Sequence, residues 1–283
     1  TPSPGEGEAA VAVAAQVSAL LPNTTYHFRI SATSAGGTSV GDDETFQTGE
    51  SLPERGRCLT ASGKNGGYAN STCTTASEGG KGAYEWLPGA GASRFTVQGG
   101  ALTLETLHKA KITCTNVAGS GEYTGPKTEL LQLTLTGCEE ANHGECHDEK
   151  QTAGEIVLSP LEGELGTITA ATTAKKPKPP SIGSSLHAGD GQAYIASFVC
   201  GTAANAIVLE GAAIAVTTPL DKMTPTFTLA LAAKKSKQKP EAFEGGATST
   251  LLASLAGGAP ERAGLNLTLA ATGEEPLEIK AVG

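Results

Sequence analysis

Long hydrophobic runs are missing from this 283-residue chain. No stretch approaches the ~18 consecutive apolar residues of a membrane helix, which excludes a helical span of the bilayer. A basic excess is missing too. The 20 Lys and Arg are outnumbered by 29 Asp and Glu, and the net charge of −9 argues against a nucleic-acid partner. The 37 glycines have no three-residue period, so the chain is not collagenous. There is no Gly-x-Ser-x-Gly elbow and no Walker phosphate loop. The five histidines are scattered, and no carboxylate pair stands out, so the sequence nominates no catalytic residue and no cofactor. The chain opens Thr-Pro-Ser-Pro-Gly without a basic, then apolar, leader, and reads as a mature or truncated product.

What is present is turn-forming and β-leaning. Short runs of alternating apolar and polar residues recur to the C-terminus, separated by Gly and Pro. Leu131, Leu133 and Leu135 alternate with Gln132, Thr134 and Thr136, and Leu265, Leu267 and Leu269 alternate with polar or small neighbours. Arg94–Val97 and Leu102–Glu105 read as a hairpin turned at Gly99-Gly100. The one helix-like patch is Thr250–Leu255. The expected class is all-β, in antiparallel sandwich or barrel domains. The polar stretch 49–57 is the expected boundary between a small module over 1–50 and a region over 51–283. A Lys/Pro/Ser-rich segment within 173–185 is either a further division or a long loop inside one domain, and the loop is the preferred reading.

Six cysteines, Cys58, Cys73, Cys114, Cys138, Cys146 and Cys200, suit disulfides in an oxidising compartment and predict a secreted, extracellular or cell-surface protein. Fifteen pairings are open. Local spacing favours Cys58–Cys73 and Cys138–Cys146, each closing a short polar loop, which leaves Cys114 with Cys200. The same spacing raises, and disfavours, a metal site in Cys138–Glu149, where two Cys and two His lie within ten residues in no zinc-finger order. No metal ligand is nominated.

In the first fifty residues Val11, Val13 and Val17 alternate along one strand, and Tyr26, Phe28 and Ile30 share one face of another. The segment Leu20-Leu21-Pro22-Asn23-Thr24-Thr25-Tyr26, followed by Arg29, Ala32 and the Gly36-Gly37 turn, resembles the C-terminal half of a fibronectin type III domain. The resemblance covers 9–48 and implies an immunoglobulin-like partial module with Tyr26 in the tyrosine corner. The first four strands of that sandwich are missing. Such a half leaves a face and an edge to be covered by the rest of the chain, by another chain, or by residues before Thr1. The region from about 55 onward is similar to uncharacterised secreted bacterial proteins that carry such modules. The similarity rests on Gly82–Gly89, Gly121–Pro126, Glu162–Gly166 and Phe243–Gly246, and it implies secretion but no activity.

These readings converge on a non-enzymatic structural or adhesive protein of a cell surface or filament-like assembly. Its subunits would be joined by strand or sheet-face completion through Val11, Val13, Val17, Tyr26, Phe28 and Ile30. The partners would be other copies of the chain or another surface protein. The alternative is a carbohydrate-binding or accessory module that stacks cell-wall glycan on Trp86 and Tyr84. Two basic loops, Lys175-Lys176-Lys178 and Lys234-Lys235-Lys237-Lys239, interrupt the acidic chain. If they converge, they present a surface to an anionic polymer or to the acidic face of a neighbouring copy.

Overall fold

The computed structural model describes residues 25–47, 52–77, 81–89, 93–148, 153–169, 178–243 and 248–281. Val11, Val13 and Val17, and the basic residues Lys175 and Lys176, lie outside them. The chain divides into two units, Thr1–Ser51 and Leu52–Gly283.

The first unit holds two antiparallel pairs. β1 (Thr25–Phe28) pairs with β4 (Glu44–Gln47), and β2 (Ser31–Ser34) pairs with β3 (Gly37–Val40).

The second unit is all-β and antiparallel, built on a closed barrel of eight staves. Two strands precede the barrel, β5 (Glu54–Thr60) and β6 (Tyr84–Pro88). Most staves are long strands broken once by a bulge or loop. The first joins β7 (Ser93–Gly99) to β8 (Leu102–Thr106), and the second joins β9 (Lys111–Cys114) to β10 (Asn116–Tyr123). The third joins β11 (Thr128–Thr136) to β12 (Glu139–Glu140). The fourth runs through β13 (Gly144–His147), β14 (Glu155–Val157) and β15 (Leu161–Thr169). The fifth is β16 (Ser181–Ala188) with β17 (Ala196–Cys200), and the sixth is β18 (Thr202–Glu210) with β19 (Ala212–Thr218). The seventh is β20 (Thr224–Ala233), a long insertion carrying β21 (Gln238–Lys239), and β22 (Leu252–Leu255). The eighth is the unbroken β23 (Glu261–Lys280).

Each stave pairs with the next in sequence, an up-and-down order. β23 then closes the ring against the first stave, with Leu269 opposite Gly99 and Ala263 opposite Thr106. Closure leaves the ring without an edge strand.

That register corrects the hairpin expected at Gly99-Gly100. β7 and β8 both pair with β23, one after the other, so they are collinear and the glycines mark an in-line break. The helix-like patch is a strand as well. β22 is held between Glu210 of β18 and Arg262 of β23, and pairing on both sides overrides local propensity. β15 and β16 are directly paired staves, so the 173–185 segment connects two neighbours in one barrel.

The alternation in β11 shows how the barrel is filled. Leu131, Leu133 and Leu135 are buried, while Gln132 and Thr136 are exposed. Leucines from the other staves, among them Leu104, Leu161, Leu186, Leu267 and Leu269, join the same core. Eight strands enclose a space just wide enough for side chains to fill. Here they leave a wholly apolar cavity of about 70 Å³. An apolar inside with polar outward positions is the inverse of a lipid-embedded barrel.

Candidate functional site

The densest chemistry lies where β5 joins the barrel. β5 pairs with β6 on one side and with the end of β23 on the other, placing Gly56 opposite Glu278 and Glu54 opposite Lys280. Residues directly opposite share a face, so Glu54, Gly56, Cys58, Trp86, Glu278 and Lys280 project together. The Lys280 ammonium donates to the Tyr68 hydroxyl at 2.5 Å and lies 4.0 Å from that ring's centroid and 5.2 Å from that of Trp86. The Trp86 indole N–H donates to a Glu54 carboxylate oxygen at 2.5 Å. The indole lies so close over Gly56 that a Cβ there would meet its Cζ2 at 2.5 Å, so only glycine fits.

Between these groups Glu278 is fully buried, with no hydrogen-bond partner on either oxygen. Burial raises its pKa to about 7. The nearby Asp221 carboxylate adds to the shift and Lys280 opposes it. Of the residues singled out for stacking, Trp86 is committed to Glu54 and Lys280, and Tyr84 is half-buried with its backbone bridged to Tyr68 at 2.9 and 3.0 Å.

The other face of β5 turns into the barrel mouth. The Arg55 guanidinium donates to Glu129 at 2.9 Å with both side chains 2% exposed, and it lies 4.7 Å from the centroid of the Tyr123 ring. Glu129 also accepts the Ser184 hydroxyl. Burial pushes the Tyr123 hydroxyl above its ordinary pKa. Neither Glu278 nor the Arg55–Glu129 pair is visible in the sequence. Glu278 alternates with Leu277 and Ile279 and so reads as outward-facing, while Glu129 falls in phase with the inward Leu131 but gives no hint of its Arg55 partner.

All six cysteines are in disulfides, and the pairing corrects part of the expectation. Cys58–Cys73 forms as expected, but the other bonds are Cys114–Cys138 and Cys146–Cys200. The register explains why. Thr113 opposite Glu139, Glu139 opposite Glu145, and Cys146 opposite Cys200 set the four cysteines in one row across four adjacent staves. Joining the inner two, Cys138 and Cys146, would leave the outer two about 14 Å apart at three strand spacings, beyond disulfide reach. Pairing outward satisfies all four. Oxidation also takes both sulfurs from the Cys138–Glu149 cluster. In that cluster His143 Nδ1 lies 2.6 Å from Glu140, whose backbone partner is the Asn142 N–H at 2.9 Å. Among the described residues no group of three His, Cys, Asp or Glu is placed to hold a metal.

In the first unit the expected face is partly in view. Tyr26 lies opposite Phe46 with their ring centroids 5.8 Å apart, and Phe28 lies 6.0 Å from the same ring. Phe28 is 51% exposed, Ile30 61% and Phe46 41%.

The barrel interior, at about 70 Å³, falls well short of the ~300–1,000 Å³ of ligand pockets. A broad open groove crosses the outside of the barrel at Arg94, Thr96, Ser120, Glu122, Gln132 and Glu274. No family model, curated protein or solved structure matches the chain.

Proposed function

We propose that this chain is a secreted, non-enzymatic structural or adhesive protein of an extracellular assembly. Its N-terminal unit joins it to a second copy through Tyr26, Phe28 and Phe46. The observation that carries this reading is the aromatic cluster on the β1–β4 pair, whose phenylalanines stay about half exposed. A two-stranded ribbon is marginal by itself and gains most from having its apolar face covered. Each phenylalanine fully buried contributes roughly 1.5–3 kcal/mol. The three disulfides suit an oxidising compartment. The filled barrel directs any interaction to the outer surface. The glycan-stacking reading of Trp86 and Tyr84 draws less support, because the indole N–H and one ring face already serve internal contacts.

Sedimentation velocity across a concentration series tests this on the intact chain. The wild type associates as concentration rises, and the Phe28→Asp, Phe46→Asp double variant stays monomeric. A wild type that remains monomeric throughout, or association that the double variant leaves unchanged, overturns the proposal.

A further inference from the structure

One rim of the barrel concentrates positive charge in an acidic chain. The hairpin of β20 and β21, with Ala232 opposite Lys239, carries Lys234, Lys235 and Lys237 at its tip. The tip folds across Gly264 of β23, where a Cβ would lie 3.2 Å from the Lys237 backbone nitrogen. It ends on the neighbouring stave, where the Ser236 hydroxyl donates to the Thr106 carbonyl at 2.9 Å. The same carbonyl accepts the Lys109 N–H at 3.0 Å, in the turn between β8 and β9. One backbone oxygen therefore ties two basic turns together. Arg262 lies between them on β23, and its carbonyl accepts the Leu107 N–H at 2.9 Å.

The turns are fixed. Lys234 and Lys237 exchange backbone hydrogen bonds at 2.9 and 3.2 Å. Gln238, buried beneath the tip, bonds Ala232 and Leu265. Lys109, Lys235 and Ser236 are held at φ of 70°, 53° and 55°. Such left-handed conformations persist only where the surroundings enforce them.

Among the described residues the nearby carboxylates are already engaged, and Glu241 also lies within electrostatic reach of Lys237 and Arg262. Glu261 is bonded by His108, Glu241 by Lys239, and Glu105 lies 4.0 Å from Lys111. That leaves five exposed cations, Lys109, Lys234, Lys235, Lys237 and Arg262, with no ion pair among the described residues. They are spread over adjacent strands about 4.8 Å apart. Four are lysines, point charges that do not require the planar two-pronged partner preferred by arginine.

We infer that this rim is a docking surface for a linear acidic polysaccharide bearing one carboxylate per sugar unit. Three cations in one tip, with Arg262 and Lys109 on the two staves beyond it, line up across the rim and suit charges repeated along a polymer. The net charge of −9 on the whole chain works against a dense phosphate chain, whose whole-molecule repulsion would be larger. The proposal is independent of the aromatic face of the first unit.

Biolayer interferometry on the intact chain with immobilised polygalacturonate tests it, with a neutral galactan and inorganic polyphosphate as parallel probes. The expected result is binding to polygalacturonate at low salt that falls steeply as salt rises and is absent on galactan. Lys235→Glu with Lys237→Glu lowers the affinity tenfold or more. Lys222→Glu, at the turn before β20 on the opposite rim, leaves it unchanged. Circular dichroism confirms that each variant is folded, and Arg262→Glu gives a second reading if the tip variant is not. Stronger binding to polyphosphate would overturn the choice of a carboxylate polymer. Binding to neither polyanion would overturn the docking surface as stated. If salt-sensitive self-association were then lost in the tip variant, the occupant would be a second copy. Loss of self-association in the Phe28→Asp, Phe46→Asp variant with polygalacturonate binding intact would separate the two surfaces.

Discussion

Replacing Glu278 by glutamine should remove a specific pH dependence of stability. Glu278 is buried without a hydrogen bond on either oxygen, and its pKa stands near 7 against 4.5 for the free side chain. The folded state therefore binds more protons than the unfolded state between about pH 4.5 and 7. The contribution of Glu278 to stability falls as pH rises through that window, and it is largest below it, where the carboxyl is neutral in both states. At 1.36 kcal/mol per unit the shift corresponds to at most about 3 kcal/mol. Glutamine keeps the shape and cannot ionise. Urea unfolding at pH 5, 6, 7 and 8 measures the effect. The wild type should lose up to about 3 kcal/mol relative to Glu278→Gln across the series, with the two curves converging toward pH 5. Titrating groups other than Asp221 and Lys280, which are coupled to Glu278, cancel in the difference. Parallel curves over the whole range would mean that Glu278 does not change its protonation between pH 5 and 8.

Four further outcomes are expected. Arg55→Ala leaves the Glu129 carboxylate buried beside Ser184 without its cation and should destabilise the protein by about 3–5 kcal/mol in the same unfolding assay. Gly56→Ala drives a methyl into the Trp86 ring and should shift tryptophan fluorescence while lowering the unfolding midpoint, whereas Gly67→Ala, whose Cβ would meet nothing closer than 3.7 Å, should not. Peptide mapping without reduction should recover Cys114 with Cys138 and Cys146 with Cys200, and removing Cys58–Cys73 as a Ser pair should cost about 3 kcal/mol for its separation of 15 residues.

The strands were legible in the sequence wherever one face was buried and the other wet. The alternation of Leu131, Leu133 and Leu135 gives the inward face of β11 directly. Closure of the ring was not legible, because it depends on one 20-residue strand long enough to pair with both β7 and β8. Without that partner, Gly99-Gly100 carries the same local signal as a hairpin turn. The disulfide row has the same origin, since loop length favours Cys138–Cys146 and only lateral register places Cys114 and Cys200 at its two ends. At the β5 seam the sequence pointed to Trp86, a lone large aromatic. It gave no hint of Glu278, because a glutamate flanked by Leu277 and Ile279 looks like the solvated side of a strand. In the first unit, the shared face of Tyr26 and Phe28 follows from their spacing, while the contribution of Phe46 depends on β4 folding back.

The claim that the first unit is an assembly surface is tested most directly by hydrogen exchange of the intact chain, read by mass spectrometry at low and high protein concentration. Added protection is expected only in Thr25–Phe28 and Glu44–Gln47 as copies associate, with the barrel staves unchanged. Association that protects the barrel while leaving those two strands exchanging as before would contradict it.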